Sequence, residues 1–242
     1  MAGTSFSKLA RIRFVSNGGK AFMIAQTEIY IDAVEHIPEN GKLILNNVSW
    51  DEYEELITQM ESKPGYRMTY DEGRLEIMSP KQDHERPKDF IFRAVDRLAE
   101  ETDTPLEGFG STTYRRKRKR KGAEPDLSFY VQNAHLMEGQ FSLDLDVDPP
   151  PDVVVEIDTT NESLNKFPIY AALGVNEIWL HDGFDTKFYQ PVGENYIEIE
   201  SSIAFPLLTS KVLNEFIERS KSESQTKALK AFRQWVRTNS KT

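Results

Sequence analysis

The sequence predicts an α/β fold built on a mixed β-sheet flanked by helices. Two short apolar runs, "PDLSFYV" and the β-branched "VVVEI", have the look of buried strands. One helix-like stretch, "KFPIYAALGV", lies between "VVVEI" and the strands that follow it. The tail "KVLNEFIERS…TKALKAFRQWV" carries the spacing of one or two amphipathic helices. With 242 residues, 38% hydrophobic and 29% charged, the chain has enough apolar surface for one core with small appendages.

Taken in order, the leader "MAGTSFSKLARIRFVSNGGKAFMIAQ" has no acid before Glu28, a composition shared with transit peptides. We read residues 1–41 as a variable N-terminal extension and 42–242 as a single domain, with C-terminal helices from about 210. "LILNNVSWDEYEELITQM" reads as a short strand and then a helix. Ser49 and Glu52 have capping-box spacing, and Tyr53, Leu56, Ile57 and Met60 form the apolar stripe. "YRMTYDEGRLEIMSP" reads as a hairpin turning at Asp71-Glu72-Gly73 and closed by Pro80. "DHERPKDFIFRAVDRLAEE" predicts a helix capped by Asp83, with Pro87 in an early turn. Its core face would be Ile91, Val95 and Leu98, with Phe90 and Ala94 alongside. An acidic stretch, "SLDLDVDPPPD", joins the two apolar runs. Gly174 ends the helix of "KFPIYAALGV", and "EIWLHD", "KFYQP" and "YIEIE" complete the strands.

Composition excludes several function classes. There are no cysteines, hence no disulfides, thiolate chemistry or zinc fingers. No stretch approaches the roughly 20 apolar residues of a membrane span, so a cytoplasmic protein without a membrane partner is expected. The net charge is −9, although seven consecutive cations run from Arg115 to Lys121. Setting those seven aside leaves 23 Lys+Arg against 39 acids. Such a body repels phosphate backbones except where cations cluster, so any nucleic-acid site must be local.

The chemistry-bearing signal is acid placement inside apolar strands. Glu156 sits within "VVVEI", where a carboxylate is costly to bury unless it is paired or bound to metal. Asp126 follows Pro125 at the head of the preceding run. If the two runs pair, both acids project from neighbouring strand ends into one cleft. Two hard oxygens plus a backbone carbonyl such as that of Ile157 suit Mg²⁺ or Mn²⁺. Lys166, near the start of the next helix, would reach the same strand end and orient or help deprotonate a water. Asp144, Asp146 and Asp148 alternate with apolar residues like a half-exposed edge segment and lack the glycine and terminal glutamate of a calcium loop. His135 and His181 have no partner in the pattern and read as structural.

The stretches "TYDEGRLEIMSPKQDHE", "GSTTYRR", "EPDLSFYV", "DPPPDVVVEI" and "KFPIYAALGVNEIWLHDG" together resemble the Uma-two family over residues ~45 to ~240. This is a bacterial group of restriction-endonuclease-like proteins, abundant in cyanobacteria, with the PD-(D/E)xK nuclease fold. The resemblance implies a restriction-endonuclease-like core preceded by an N-terminal helix and hairpin. It makes Asp126 of the Pro125-Asp126 pair the first metal ligand and Glu156 the acid of the E-x-K half-motif. The third position of that half-motif is Asp158, not lysine, which adds a negative charge. Lys166 stands where the family's displaced lysine is expected, with Pro168 holding it just outside the helix. His84 matches the family's early histidine and Glu76 the acid of its hairpin strand, both as supporting groups.

The basic run has three readings. Arg115, Arg116, Lys117, Arg118, Lys119, Arg120 and Lys121 would contact DNA phosphates, act as a localisation signal, or form a solvated loop; the first is preferred for its position beside Asp126. The expected function is metal-dependent endonucleolytic hydrolysis of DNA, with a symmetric homodimer as the expected assembly. The alternatives are a catalytically weak or inactive nucleic-acid-binding protein that keeps the fold, and an interaction protein assembled through its C-terminal helices.

Overall fold

The structure, a computed structural model, describes residues 19–38, 41–60, 65–79, 82–159 and 165–240. The leader through residue 18, Pro80 and the Asp83 side chain therefore lie outside the described residues. The architecture is mixed α/β, as the pattern predicts, but its strands fall into two sheets. The first contains β1 (Lys42–Leu45), β2 (Arg67–Asp71), β3 (Arg74–Met78), β5 (Tyr114–Arg116) and β6 (Lys121–Ala123) in the order β1-β3-β2-β6-β5, all antiparallel. The second contains β4 (Glu107–Gly108), β7 (Leu127–Tyr130), β8 (Val153–Ile157), β9 (Glu177–His181), β10 (Thr186–Val192) and β11 (Asn195–Ile199). Their order is β11-β10-β9-β8-β7-β4, with β8 and β9 parallel and the other pairs antiparallel. The chain crosses from the first sheet to the second through Glu124-Pro125-Asp126.

Local chemistry accounts for the elements. Helix α2 (Trp50–Met60) opens on the predicted capping box: the Ser49 N–H donates to Glu52 Oε2 at 2.7 Å, and the Glu52 N–H returns to Ser49 Oγ at 3.2 Å. The β2–β3 hairpin turns on Glu72 (φ 49°) and Gly73 (φ 104°), and two successive positive φ values give the turn that matches strand twist. Helix α3 (Gln82–Thr102) starts one residue before Asp83, so Asp83 lies inside the first turn and is not the cap. After the single turn α4 (Ala134–Met137), helix α5 (Phe167–Leu173) is the crossover between the parallel strands. It has Lys166 at its N-cap, Pro168 in its first turn and left-handed Gly174 at its end. Hydroxyl caps open α6 (Ser210–Ser222) at Thr209 and α7 (Gln225–Asn239) at Ser224. The 144–148 segment is a turn and not an edge strand. The Asp144 N–H donates to Asp148 at 2.8 Å and the Asp146 N–H to Asp144 at 2.9 Å, so the acids satisfy local backbone instead of a ladder.

The sheets are covered on both faces. Helices α3, α6 and α7 bury one face of the second sheet, with Phe90, Val95, Leu98, Phe216 and Phe232 against Phe129, Val155 and Trp179. Two arginines of α7 tie it to α3 through Glu101, with Arg233 Nε at 2.5 Å and Arg237 Nε at 2.6 Å. These guanidinium bonds hold the Glu101 carboxyl well below the usual range, at about 2. The outer face of the first sheet packs on α2 through Tyr53, Leu56, Tyr70, Leu75 and Ile77. Gly122 permits this approach, because a side chain there would overlap the Tyr53 ring. The C-terminal half of α1 (Gly19–Glu35) adds Val34 to the same cluster. Between the sheets lie Tyr114, Ala123, Tyr130, Val154 and Ile178, with Ile169, Tyr170 and Leu173 of α5.

Candidate active site

The predicted pairing of the two apolar runs is present: Leu127 of β7 stands opposite Val155 of β8. The Asp126 N–H donates to the Val155 carbonyl at 3.0 Å, which sets Asp126 beside Glu156 at the strand ends. Strand alternation turns Glu156 to the face it shares with Val154, towards the first sheet. A cavity of about 100 Å³ opens there. Asp126, Glu156, Ile157, Asp158 and Leu180 come from the second sheet and its strand ends, Asn165, Lys166 and Phe167 from the start of α5, and Arg67 and Met78 from the first sheet. Glu124 closes it at the crossing between sheets.

Each carboxylate is held differently. Asp126 Oδ2 accepts the Ile157 N–H at 2.8 Å, which locks the aspartate to the backbone that follows Glu156. Glu156 Oε2 accepts from Lys166 Nζ at 2.7 Å, while Oε1 accepts from the buried Tyr170 hydroxyl. Burial pushes the Glu156 carboxyl above its ordinary range; Lys166 and Tyr170 oppose that shift and the nearby Asp126 charge adds to it. For Lys166, burial favours loss of the proton, but Glu156, Asp126 and Glu76 together outweigh it and the net shift is upward. Glu124 accepts from the Met68 N–H at 3.1 Å and from Thr113 Oγ1 at 2.6 Å, and burial raises it as well.

The other predicted residues are placed as follows. Asp158 lines the cavity, and its N–H donates to the His181 carbonyl at 2.9 Å. Glu76 is buried in β3, off the cavity wall, and acts on Lys166 through charge. His84 is buried on α3, with Nε2 3.1 Å from Thr159 Oγ1, also off the cavity wall. His181 is buried and bonded to Thr186 at 3.0 Å; burial lowers its pKa, in line with a structural role. Motif reading does not single out Tyr170, Glu124 or Arg67. Tyr170 follows Lys166 by four residues, the spacing that places both on one helical face. Glu124 precedes Asp126 by two and shares its strand parity. Nothing in the local sequence marks Arg67, which the other sheet delivers.

The seven cations form a second hairpin. Strands β5 and β6 are joined by a 3₁₀ turn at Lys117–Lys119, closed by left-handed Arg120. Arg115 pairs with Glu54 at 2.7 Å, Lys117 with Asp51 at 3.2 Å and Arg118 with Asp146 at 3.8 Å. Lys121 pairs with Asp71 and Glu72. Arg116 donates to the Leu145 carbonyl at 2.7 Å and Arg120 to the Tyr70 hydroxyl at 3.4 Å. The hairpin tip, residues 117–120, is exposed.

Among the described residues no group of three His, Asp or Glu is set to enclose a metal ion. The donor chemistry still fits a hard divalent cation, because Asp126 and Glu156 supply two carboxylates at one wall and water or phosphate would complete the shell. No described helix is long and apolar enough to cross a membrane.

A family model described as "Uma2: Putative restriction endonuclease" matches residues 50–215. No curated protein matches the chain. Among solved structures, a putative nuclease belonging to DUF820 from Anabaena variabilis ATCC 29413 aligns with 16% identity and a TM-score of 0.45, over 62% of this chain and 90% of that one.

Proposed function

The chain belongs to the Uma2 family, and from that premise we propose that it is a metal-dependent endonuclease that hydrolyses DNA phosphodiester bonds. The observation carrying this reading is the convergence of Asp126, Glu156 and Lys166 on one cavity between the sheets, with Lys166 Nζ 2.7 Å from Glu156. Asp126, Glu156 and the Ile157 carbonyl would hold Mg²⁺ or Mn²⁺. Bound there, the ion would polarise the scissile phosphate and lower the pKa of a coordinated water. The chain's own contribution is positioning. Ile157 N–H fixes the Asp126 carboxylate, Tyr170 fixes Glu156, and Lys166, seated at the N-cap of α5, holds its ammonium where it can orient the attacking water. Two such sites related by symmetry would cut both strands of a duplex in one encounter, so a symmetric dimer is the assembly that goes with this reading.

A second reading, a nucleic-acid binder that no longer cuts, draws on one observation: both oxygens of Glu156 are taken up by Lys166 and Tyr170. Incubating supercoiled, linear and single-stranded DNA with wild-type protein in Mg²⁺ or Mn²⁺ separates the two. Cleavage that Asp126→Asn abolishes supports the nuclease. A gel shift without any cleavage supports the binder.

A further inference from the structure

The cavity holds a donor with no partner. Arg67 opens β2 and shares strand parity with Thr69, so it faces the gap between the sheets. Arg67 lines the cavity with Glu124, Asp126, Glu156 and Asp158. Only one hydrogen bond of Arg67 is formed by described residues, from Nη1 to the adjacent Tyr66 carbonyl at 3.2 Å, and Nε is buried without an acceptor. Two of these acids have their oxygens taken by other donors, Glu124 by Met68 and Thr113 and Glu156 by Lys166 and Tyr170. Burial raises the Glu124 pKa, and the Arg67 charge still acts on this acid to oppose that rise. An unsatisfied buried donor is destabilising until an acceptor reaches it, and the other cation of the cavity, Lys166, is committed to Glu156.

We propose that Arg67 is the anion-binding arm of this cavity, its guanidinium taking a non-bridging oxygen of a phosphate that enters between the sheets. The orphan Nε and a neighbouring Nη form the planar fork that matches two phosphate oxygens. An incoming phosphodiester would meet carboxylates on one wall and Arg67 on the other. This gives the first sheet a part in substrate binding as well as in covering the site. As an account of the scissile phosphate, the assignment rests on the nuclease reading; as an anion site it stands on the cavity alone.

The test uses inorganic phosphate as probe and Arg67→Met and Arg67→Lys as variants of the full chain, with and without Mg²⁺. Phosphate should raise the melting temperature of wild type, leave Arg67→Met unmoved and raise Arg67→Lys only in part. Without phosphate, Arg67→Met should melt close to wild type, because methionine keeps the stem's packing and removes the unpaired donor along with the weak Tyr66 bond and the charge facing Glu124. On DNA, kcat/KM of Arg67→Met should fall by about 10- to 100-fold, the worth of hydrogen bonds to a charged group. A phosphate response that survives in Arg67→Met, or is missing from wild type, overturns the assignment. Cleavage by Arg67→Met at the wild-type rate overturns it and leaves the nuclease reading intact. A wild type that shows the Arg67-dependent phosphate response but cuts no DNA keeps the anion site and removes the nuclease.

Discussion

The basic hairpin and the carboxylate cavity both gather like charges, in opposite surroundings. At the hairpin, Arg115, Lys117, Arg118 and Lys121 meet acids that helix α2, the β2–β3 turn and the 144–148 turn supply. Its tip stays in water, where each pair is worth only about 0–1 kcal/mol and exchanges readily for a phosphate. In the cavity, Glu156 and Lys166 keep only 9% and 10% of their side-chain surface exposed, so their pairing is hard to replace. A run of charge in sequence therefore says little about what a ligand would feel. One acid inside an apolar strand says more, because the fold has to answer it. The tip also lies at the far end of β6 from the Pro125-Asp126 step, up to about 17 Å along the strand from Lys121 to Asp126.

This contrast can be broken from the cavity side first. Asp126→Asn should lower metal-dependent cleavage by more than about 100-fold, since removing a partner of a metal ligand alone costs 10–100-fold. Its melting temperature should hold, because the Ile157 N–H keeps an oxygen acceptor. Glu156→Gln is the less clean variant, as it strands the Lys166 ammonium. Lys166→Met should destabilise the fold by about 3–5 kcal/mol in urea titration, and adding Glu156→Gln to it should restore most of that. An additive double variant would mean that the pair is not coupled. Tyr170→Phe removes the hydroxyl that orients Glu156, and on the nuclease reading a calorimetric Mn²⁺ titration should show affinity weakened by about 10-fold or more. Tighter binding would mean that Tyr170 competes with the ion for that oxygen.

At the hairpin, replacing Arg116, Arg118 and Arg120 with Gln should cost little stability. It should flatten the salt dependence of DNA binding by about 0.9 log unit for each phosphate no longer neutralised. An unchanged slope would leave the hairpin as a solvated feature and sharpen the contrast further. The smallest effect lies in the helical layer. Glu101 has a folded pKa of about 2 against an ordinary value of 4.5, so its stabilisation is full above 4.5 and fades as pH falls towards 2. Glu101→Gln should melt lower than wild type at neutral pH, and the gap should close on acidification through that window.

Much of this was legible in the residues. The capping box at Ser49 and Glu52, the turn at Glu72-Gly73, Pro168 with Lys166 at its N-cap, and Gly174 all rest on contacts within a few residues. The adjacency of Asp126 and Glu156 was legible too, because two short apolar runs separated by a loop have few ways to pair. The Asp83 cap failed because side chains that suit an N-cap also suit a first turn, and the backbone alone decides the boundary. His84 and Glu76 were placed near the site by motif, but neither lines its wall: His84 bonds Thr159 from α3, and Glu76 faces the same side of β3 as Met78 but sits two residues further along the strand.

By itself, the sequence determined the order of elements, the acids embedded in strands and the family, since these depend on local spacing and composition. Only the tertiary structure decided that the strands form two sheets divided at Glu124-Pro125-Asp126. It also decided that the cations are met by acids distant in sequence, and that Arg67 faces the carboxylates with its Nε unpaired. Those outcomes depend on which surfaces pack across the gap between sheets, and long-range packing leaves no periodic trace in the chain.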